Sequence, residues 1–572
     1  MVNSIDSPMR HRRALAGVAA TAALSLLLAA CGSDGSGGGA TADPENETVP
    51  GEFGDFPGGT AGAMEDYGVG STFVATEPVE FGLFYRDHPN YPLQDDWRIL
   101  TALEEFNNVS FDTISAPLSE WDDRKAVVIG GGDAPDIITV TYPGQEVQFV
   151  AGRAILAASE WVRWMPNYQE KVEAWELEAD LDQLRQEDGN YYLFPGLREA
   201  PRPQYTFAVR TDIWEELGLS LEPATFDEFA DQLRTVKDAY PDMAPYFDRW
   251  SNPSNGGVIA ATLNTVAPSF GTAAGWGLGE GVWWDEGAGE YVFTGATDEY
   301  RDLIAWFAAL VEEGIMNPES FTSENDDAAI AAFGAGQSFV IGTNDQEVLR
   351  LRETFDELGT DAEVSMIRVP GGPAGEVLPA GGRLVSGFML AADVADHPNF
   401  LAMLQFLDWL YYSDEGLEFA KWGVEGETFT READGTRTLA EDIDINGLNP
   451  GASQSLNVDY GFHNGVWMLE HGSTVELDLS MLRPEVQDFV VTMNETKTQM
   501  ELPPPWPLTE LERETASIQQ AGLIDHVLAN TALFITGQRS LDEWDAYLSE
   551  LEAQGRAQYM QVVNEARERA AG

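Results

Sequence analysis

Large aromatic side chains stand beside carboxylate, amide or guanidinium groups at several predicted strand ends and in glycine- and asparagine-rich loops. Sugars present apolar CH faces and polar hydroxyl rims, so flat rings flanked by hydrogen-bonding groups suit a sugar-binding cleft. The residues that we predict to bind a ligand on this basis are Tyr85, Asp87, Tyr142, Trp250, Trp276, Trp283, Asn344, Asp345, Arg383 and Trp422. The alternative for each ring is packing in the core, the commoner fate of a tryptophan in a chain that has 16 of them.

The sequence lacks the motifs that mark several common enzyme classes. It has no Gly-x-Ser-x-Gly elbow, no His-Glu-x-x-His zinc helix and no Gly-x-x-x-x-Gly-Lys phosphate loop. Paired carboxylates for glycoside hydrolysis are not excluded, because with 96 acidic residues some pair lies at almost any separation. We predict a protein that is not an enzyme, with no catalytic residues, no cofactor and no metal site.

The chain is strongly acidic. Acidic residues outnumber Lys and Arg by 96 to 32, the formal net charge is -64, and lysine occurs at only five positions. Nucleic acids and anionic membrane surfaces attract clustered Lys and Arg, so this composition argues against both as partners. An acidic, lysine-poor surface is also expected of a protein that stays soluble in concentrated salt, and we interpret it as a mark of environment.

The first 31 residues have the pattern of a lipoprotein export signal. Basic residues at 10–13 precede a run of apolar and small residues from 14 to 28, which ends in Leu28-Ala29-Ala30-Cys31. About fifteen residues fall short of the ~20 that a permanent span needs, and small residues before the cysteine suit peptidase cleavage. We therefore predict removal of residues 1–30, lipidation of Cys31, and a flexible tether over residues 31–76. The alternative is an ordinary secretory signal followed by an unmodified cysteine.

The elements after the tether predict an α/β fold. Strand patterns at 79–85, 109–115 and 137–140 alternate with helical patterns, the second of which runs from 121 to 129. This β-α-β-α-β order predicts a parallel sheet, and open α/β sheets bind ligands beyond their strand ends. Further on, Thr225 and Glu228 form a predicted capping box, and a strong amphipathic helix begins near Asp298.

Five stretches in order resemble one family of proteins. They are residues 209–219, 225–229, 310–319, 421–429, and 535–537 with 544–547. Together they resemble the extracellular solute-binding proteins of ABC importers, specifically the large lipoprotein subgroup that includes oligosaccharide binders. The resemblance covers most of residues 77–566.

This resemblance implies two α/β lobes that clasp a ligand in the cleft between them by hinge closure. It implies crossovers near 200–206, 335–343 and 384–393. The first lobe would then comprise residues 77–200 with 336–385, and the second lobe residues 201–335 with 386–572, including a helical C-terminus.

One departure from the family concerns calcium. Some relatives that bind acidic oligosaccharides carry a loop of alternating Asp and Asn after the helix that here ends near Lys237. Residues 237–245 lack those alternating oxygen ligands, so we predict no calcium site there.

The resemblance therefore implies a lipid-anchored receptor on the outer face of the cell membrane. It would act as a monomer, bind an oligosaccharide without chemical change, and deliver it to ABC permease subunits. The alternatives are a surface glycoside hydrolase or lyase, and a receptor of the same fold for a peptide or another solute.

Overall fold

The computed structural model describes residues 56–252, 256–322, 326–379, 382–468 and 472–571. The predicted signal at 1–30, Cys31 and the tether as far as residue 55 lie outside these ranges. Within the described ranges no helix combines the length and the apolar character that crossing a membrane requires.

Strands and helices alternate between residues 79 and 390 of the described chain, and helices dominate the described residues after that. The strands are β1 (Val79–Asp87), β2 (Val109–Pro117), β3 (Ile137–Thr141), β4 (Phe194–Leu197), β5 (Thr206–Arg210), β6 (Val282–Asp285), β7 (Glu290–Phe293), β8 (Val340–Thr343), β9 (Val364–Met366), β10 (Leu384–Leu390), β11 (Phe429–Arg431), β12 (Arg437–Leu439), β13 (Ile443–Asp444) and β14 (Gln454–Ser455). The helices are α1 (Arg98–Asn107), α2 (Trp121–Gly131), α3 (Val147–Val150), α4 (Ala158–Trp161), α5 (Pro166–Ala174), α6 (Glu178–Asp182), α7 (Thr211–Glu216), α8 (Phe226–Ala239), α9 (Ala260–Phe270), α10 (Asp298–Glu312), α11 (Asp326–Gly334), α12 (Asp345–Leu358), α13 (Phe400–Tyr412), α14 (Asp414–Trp422), α15 (Val475–Ser480), α16 (Pro484–Thr496), α17 (Glu510–Ile535), α18 (Trp544–Ala553) and α19 (Arg556–Ala570).

The first sheet has the strand order β2-β1-β3-β10-β4. β1 pairs in parallel with β2 and β3, which confirms the predicted β-α-β-α-β unit. β10 closes the sheet and runs antiparallel to both β3 and β4. Helix α13 is buried along its whole length against this sheet, since residues 400–412 are all inaccessible to solvent.

The second sheet is smaller and antiparallel, with the order β8-β5-β9. Helix α8 begins at the predicted capping box, where Thr225 Oγ1 accepts a hydrogen bond from Glu228 N at 3.1 Å. Helix α10 is the amphipathic helix predicted to begin near Asp298, and it buries Tyr300, Leu303, Ile304, Phe307 and Leu310 in the core on this side of the molecule.

Two large hydrophobic cores divide the described chain into two lobes. The first core draws its residues from 67–197 and 388–481, and the second draws its residues from 207–378 and 482–563. We call these the first lobe and the second lobe. The chain passes between them at residues 198–206, between Leu378 and Leu384, and between Met481 and Leu482.

The predicted lobe boundaries are therefore wrong in two segments. β8 pairs with β5, so residues 336–378 belong to the second lobe and not to the first. β10 pairs with β3 and β4, so the segment from there to residue 481 belongs to the first lobe. Each error comes from a short strand whose own sequence does not reveal which sheet it joins.

The predicted tether is also too long. Tyr67 and Phe73 are buried in the first core, and Tyr67 OH donates to Asp408 Oδ2 at 2.9 Å. The Gly70 amide donates to Asn167 Oδ1 at 2.9 Å. Residues 56–76 are thus packed on the first lobe, because two aromatic rings in a polar stretch suffice to anchor it there.

Candidate functional site

A cavity of about 270 Å³ lies where the two lobes face each other. The first lobe lines it with His88, Asn90, Tyr91, Lys421, Asn446, Asn457, His463, Gly465, Met468, Asp478 and Met481. The crossover segment and the second lobe add Arg202, Gln204, Tyr205, Asn344, Asp345, Gln346 and Leu482. Amide, hydroxyl and charged groups dominate this lining. We call the cavity the cleft.

A short loop after β1 brings one edge of the cleft into place. Asp87 Oδ1 accepts a hydrogen bond from Leu93 N at 2.8 Å, which ties the two ends of the loop together. Within the loop the rings of His88 and Tyr91 stack, with centroids 4.5 Å apart and planes 12° from parallel. Asp87 therefore orients this edge of the cleft rather than lining it.

Charged side chains form the floor of the cleft. Arg202 Nη1 donates to Asp478 Oδ1 at 3.0 Å, and Arg202 Nη2 reaches Asp345 Oδ2 at 3.5 Å. Lys421 Nζ lies 3.7 Å from Asp478 Oδ1. Arg202 thus bridges a carboxylate of each lobe from the crossover segment between them.

Burial shifts the pKa values of this floor. It lowers the pKa of Lys421 to about 8, an effect that Asp478 opposes. Burial also lowers the pKa of His463 to about 3, helped by the positive charges of Lys421 and Arg202, so the imidazole is neutral at pH 7. For Asp478, burial acts to raise the pKa, but the charges of Arg202, Lys421 and Arg198 outweigh it and leave the pKa below its ordinary value.

Tyr205 lines the cleft from the crossover segment, and two tryptophan rings outside the lining pack against it. The Tyr205 ring meets Trp276 edge-on with centroids 5.3 Å apart, and it meets Trp250 edge-on at 5.7 Å. Trp250 and Trp276 are 6.0 Å apart and both are half-buried. We call Tyr205, Trp250 and Trp276 the aromatic wall, and the Arg249 guanidinium lies 4.3 Å from the Trp250 ring centre.

Two backbone features position this wall. Trp250 has a φ of +60°, which costs energy for a residue with a side chain. Its N–H donates to Asp326 Oδ1 at 2.8 Å and its carbonyl accepts from Ala260 N at 2.9 Å, so both groups fix the strained conformation. Gly275, beside Trp276, also has positive φ, and a Cβ there would collide with the Ala260 carbonyl.

Two predicted ligand-binding residues line the cleft, and two others lie beside it. Asn344 and Asp345 line it directly, and the side chain of Asn344 is hydrogen-bonded to the Tyr205 hydroxyl. Asn344 also caps α12, since its Oδ1 accepts from Glu347 N at 3.0 Å. Trp250 and Trp276 join them through Tyr205, which sequence reasoning missed.

Two other predicted residues are part of the first core. Tyr85 is 0% exposed and its ring packs against Trp97 and Trp467, with centroids 6.5 and 6.1 Å away. Trp422 is 2% exposed, packs on Phe429, and donates from Nε1 to Ser480 Oγ at 3.1 Å. Neither ring has a face available for stacking on a ligand, so for these two the prediction is wrong and core packing is the correct interpretation.

The remaining predicted residues lie outside the cleft lining. Arg383 binds within the first lobe, where its guanidinium donates to the carbonyls of Trp175 and Glu176 and to Asp180. Trp283 lies on the β6–β7 hairpin, opposite Val292. Tyr142 is 42% exposed just beyond β3.

The cleft residues that sequence reasoning missed are mostly polar and far apart in the chain. Lys421 is the clearest case, because it immediately precedes the predicted Trp422 and points into the cleft while the tryptophan points into the core. Its place as one of only five lysines could have drawn attention to it. Arg202, His463 and Asp478 carried no sequence signal, since only tertiary contacts bring them together.

The loop that follows α8 is closed by a lysine. Lys237 Nζ donates to the carbonyl oxygens of Pro241 and Met243, at 3.0 and 2.8 Å. An ammonium group therefore uses the carbonyls that a cation in this loop would need as ligands. Across the described ranges, no cluster of three or more His, Cys, Asp or Glu side chains could hold a metal ion.

Two solved structures of similar fold are described as binding proteins. An alginate-binding protein, AlgQ2, solved without calcium, superposes with a TM-score of 0.64 at 17% identity over 87% of this chain and 99% of its own. An HMO-binding, ABC-transporter-associated solute-binding protein from Bifidobacterium longum infantis gives a TM-score of 0.66 at 18% identity, over 86% and 99%. These likenesses establish the two-lobed solute-binding fold.

Two curated relatives come from Bacillus subtilis strain 168. The polygalacturonan/rhamnogalacturonan-binding protein YtcQ is 21% identical over 349 residues, and lipoprotein LipO is 23% identical over 359 residues. Each alignment covers 60% of this chain and 66% of the relative, just under two thirds. Residues 97–416, more than half of the chain, match the family described as bacterial extracellular solute-binding protein. This protein is a member of that family.

Proposed function

We propose that the protein is the lipid-anchored, extracellular substrate-binding component of an ABC importer. It binds an oligosaccharide in the cleft and delivers it to permease subunits without changing it chemically. The observation that carries this proposal is the composition of the cleft, in which the rings of Tyr91 and Tyr205 lie among charged and amide groups. Flat rings match the CH faces of sugars, and the polar floor matches their hydroxyl groups.

The names of three similar proteins support a saccharide ligand. The names of YtcQ, AlgQ2 and the Bifidobacterium protein refer to polygalacturonan or rhamnogalacturonan, alginate and HMO. Each name refers to a different saccharide. Together they favour saccharides as the class of ligand, but they do not identify one particular saccharide.

Cleft closure would follow from the three passages between the lobes. The chain crosses at 198–206, between Leu378 and Leu384, and between Met481 and Leu482. Short connections of this kind allow two lobes to rotate as rigid bodies about a hinge. The aromatic wall and the charged floor would then approach each other around the ligand.

Anchoring at Cys31 would keep the receptor near its permease. Several acyl chains on one residue hold a protein at a membrane, because each buried methylene contributes ~0.8 kcal/mol. The receptor would act as a monomer on the outer face of the membrane. The substitution Cys31→Ala should release the protein from cells or leave its precursor uncleaved, while the affinity of the cleft for its ligand stays the same.

A binding assay with product analysis separates the possible functions. Purified protein is titrated with oligosaccharide mixtures by calorimetry, and the same mixtures are analysed by chromatography after long incubation. Saturable binding without new products supports the receptor. Formation of shorter saccharides would indicate a glycoside hydrolase or lyase, and binding of peptides alone would indicate a receptor for another solute.

A further inference from the structure

The floor of the cleft brings two cationic side chains together in a protein whose formal net charge is -64. Arg202 and Lys421 line the cleft beside the carboxylates of Asp345 and Asp478, and Arg198, outside the lining, helps to lower the pKa of Asp478. Two cationic side chains thus face two carboxylates. With only five lysines and a large surplus of acids, this concentration of cations is opposite to the composition of the chain as a whole.

One donor in this floor has no acceptor among the described residues. Arg202 Nε is buried without a partner, although both terminal nitrogens of the same guanidinium are paired. A buried donor without an acceptor is rare in folded proteins, and beside a cavity it points to a ligand that accepts from it.

The hydrogen-bond pattern around His463 fixes which nitrogen carries its proton. Asn446 Nδ2 donates to the Met481 carbonyl at 3.2 Å, so this end of the Asn446 side chain is the amide NH₂. The same Nδ2 lies 3.2 Å from His463 Nε2, which therefore accepts. The single proton of the neutral imidazole is then on Nδ1, and the ring is hydrogen-bonded to the Lys421 backbone, so His463 remains a neutral part of the lining.

Lys421 has unused donor capacity as well. Its Nζ lies 3.7 Å from Asp478 Oδ1, which is longer than an N–H···O hydrogen bond. Asp478 Oδ1 instead accepts a hydrogen bond from Arg202 Nη1 at 3.0 Å. The ammonium group is 1% exposed, so a ligand in the cleft is the natural source of an acceptor for it.

We propose that the ligand carries a carboxylate and that Lys421 and Arg202 bind this group, so that the receptor selects acidic oligosaccharides over neutral ones. This inference rests on the function proposed above and adds the charge class of its ligand. A carboxylate supplies the acceptors that Lys421 Nζ and Arg202 Nε lack. The aromatic wall serves an acidic and a neutral sugar equally, so the floor provides the discrimination.

Pairs of oligosaccharides that differ only at the carboxyl group provide the test. The panel consists of galacturonate, mannuronate and glucuronate oligomers of two to four residues, each with its carboxyl-reduced counterpart. Affinity is measured by calorimetry with the full mature chain. We expect each acidic oligomer that binds to do so about tenfold or more tightly than its reduced counterpart, since charged hydrogen bonds contribute strongly in a buried site.

Variants assign the discrimination to the floor. Lys421→Gln should bring the acidic and reduced members of a pair to nearly equal affinity, whereas Lys421→Arg should retain most of the preference. Lys171→Gln is the matched control, because Lys171 is a buried first-lobe lysine that pairs with Asp414 away from the cleft. That variant should keep the full preference, and melting curves confirm that each variant is folded.

The outcomes separate this inference from the function on which it rests. Binding of neutral or carboxyl-reduced oligosaccharides as tight as that of the acidic ones overturns the acidic preference and leaves the oligosaccharide receptor intact. A preference that survives in Lys421→Gln, or one that is lost equally in Lys171→Gln, overturns the assignment to the floor. Failure of every oligosaccharide in the panel to bind overturns both proposals.

Discussion

Trp422 and Trp276 are both tryptophans with a glycine neighbour, and the fold uses them in different ways. Trp422 ends α14 and is 2% exposed within the first core, where its indole N–H is satisfied by Ser480. Trp276 lies in a short turn of the second lobe, half-buried, with its ring against Tyr205 at the cleft. The comparison shows that a helix end can direct a ring into the core while a glycine-rich turn leaves it at a surface.

The same contrast extends to the two sides of the cleft. The first lobe contributes mainly charged and amide groups, among them Lys421, His463 and Asp478, whereas the second lobe contributes the tryptophans of the aromatic wall. In this account the second lobe supplies stacking area and the first lobe supplies the recognition of charge.

The largest effect expected from this contrast is on the stability of the first lobe. Trp422→Ala leaves a cavity in a packed core and removes the hydrogen bond to Ser480, so it should lower the free energy of unfolding by about 3–5 kcal/mol. Denaturant unfolding followed by circular dichroism measures this loss. If the variant were as stable as the wild-type protein but bound the ligand more weakly, Trp422 would have to contact the ligand.

The next effect concerns affinity. Trp276→Ala should weaken oligosaccharide binding by about 1–3 kcal/mol, by analogy with other aromatic stacking, while the folded state changes little because the ring is already half-exposed. Trp283→Ala is the matched control, since Trp283 is also half-buried but lies on the β6–β7 hairpin. Equal losses in both variants would mean that the aromatic wall has no special part in binding.

The third expected effect is a pH dependence of ligand affinity that arises from the charged floor of the cleft alone. Burial lowers the pKa of Lys421 to about 8, so the side chain is protonated below that pH and loses its charge above it. Affinity for an acidic oligosaccharide should therefore fall about tenfold between pH 7 and pH 9, while affinity for its carboxyl-reduced counterpart stays nearly constant. His463, whose pKa burial lowers to about 3, stays neutral throughout this range.

Calorimetric titrations at several pH values measure this dependence. The Lys421→Gln variant should show no such fall, because it has no group that loses a proton there. An equal fall in the variant would assign the titration to another residue.

The smallest effect is expected at Tyr85. Its hydroxyl is buried with no hydrogen-bond partner within the described ranges, so Tyr85→Phe removes an unsatisfied polar group. Stability should be unchanged or higher by up to about 1 kcal/mol, and ligand affinity should be unaffected. A loss of affinity in a thermal-shift titration would show that the hydroxyl reaches the ligand after all.

Local patterns predicted much of the fold. The parallel β1, β2 and β3 with their connecting helices, the Thr225 cap and the buried stripe of α10 follow from periodicities of two and 3.6 residues and from capping chemistry. β8 and β10 were assigned to the wrong lobes because a short apolar strand pairs with whichever sheet the rest of the chain presents. That choice depends on long-range contacts.

The site was predicted less completely, for a related reason. Asn344 and Asp345 line the candidate cleft and Trp250 and Trp276 lie beside it, because loops and helix starts expose side chains near strand ends. Lys421, Arg202 and His463 could not be found in the same way, because each acquires its role from partners distant in sequence. Burial of Tyr85 and Trp422 likewise depends on packing partners that no local sequence pattern identifies.

The most direct measurement is the position of a bound oligosaccharide in a crystal structure of the complex. We expect a sugar ring stacked on the aromatic wall and an acidic group within about 3 Å of Lys421 Nζ. The second lobe has another cavity, of about 320 Å³, that Ser251, Phe321 and Leu528 help to line. Saccharide density in that cavity, with the cleft empty, would contradict the proposed binding site.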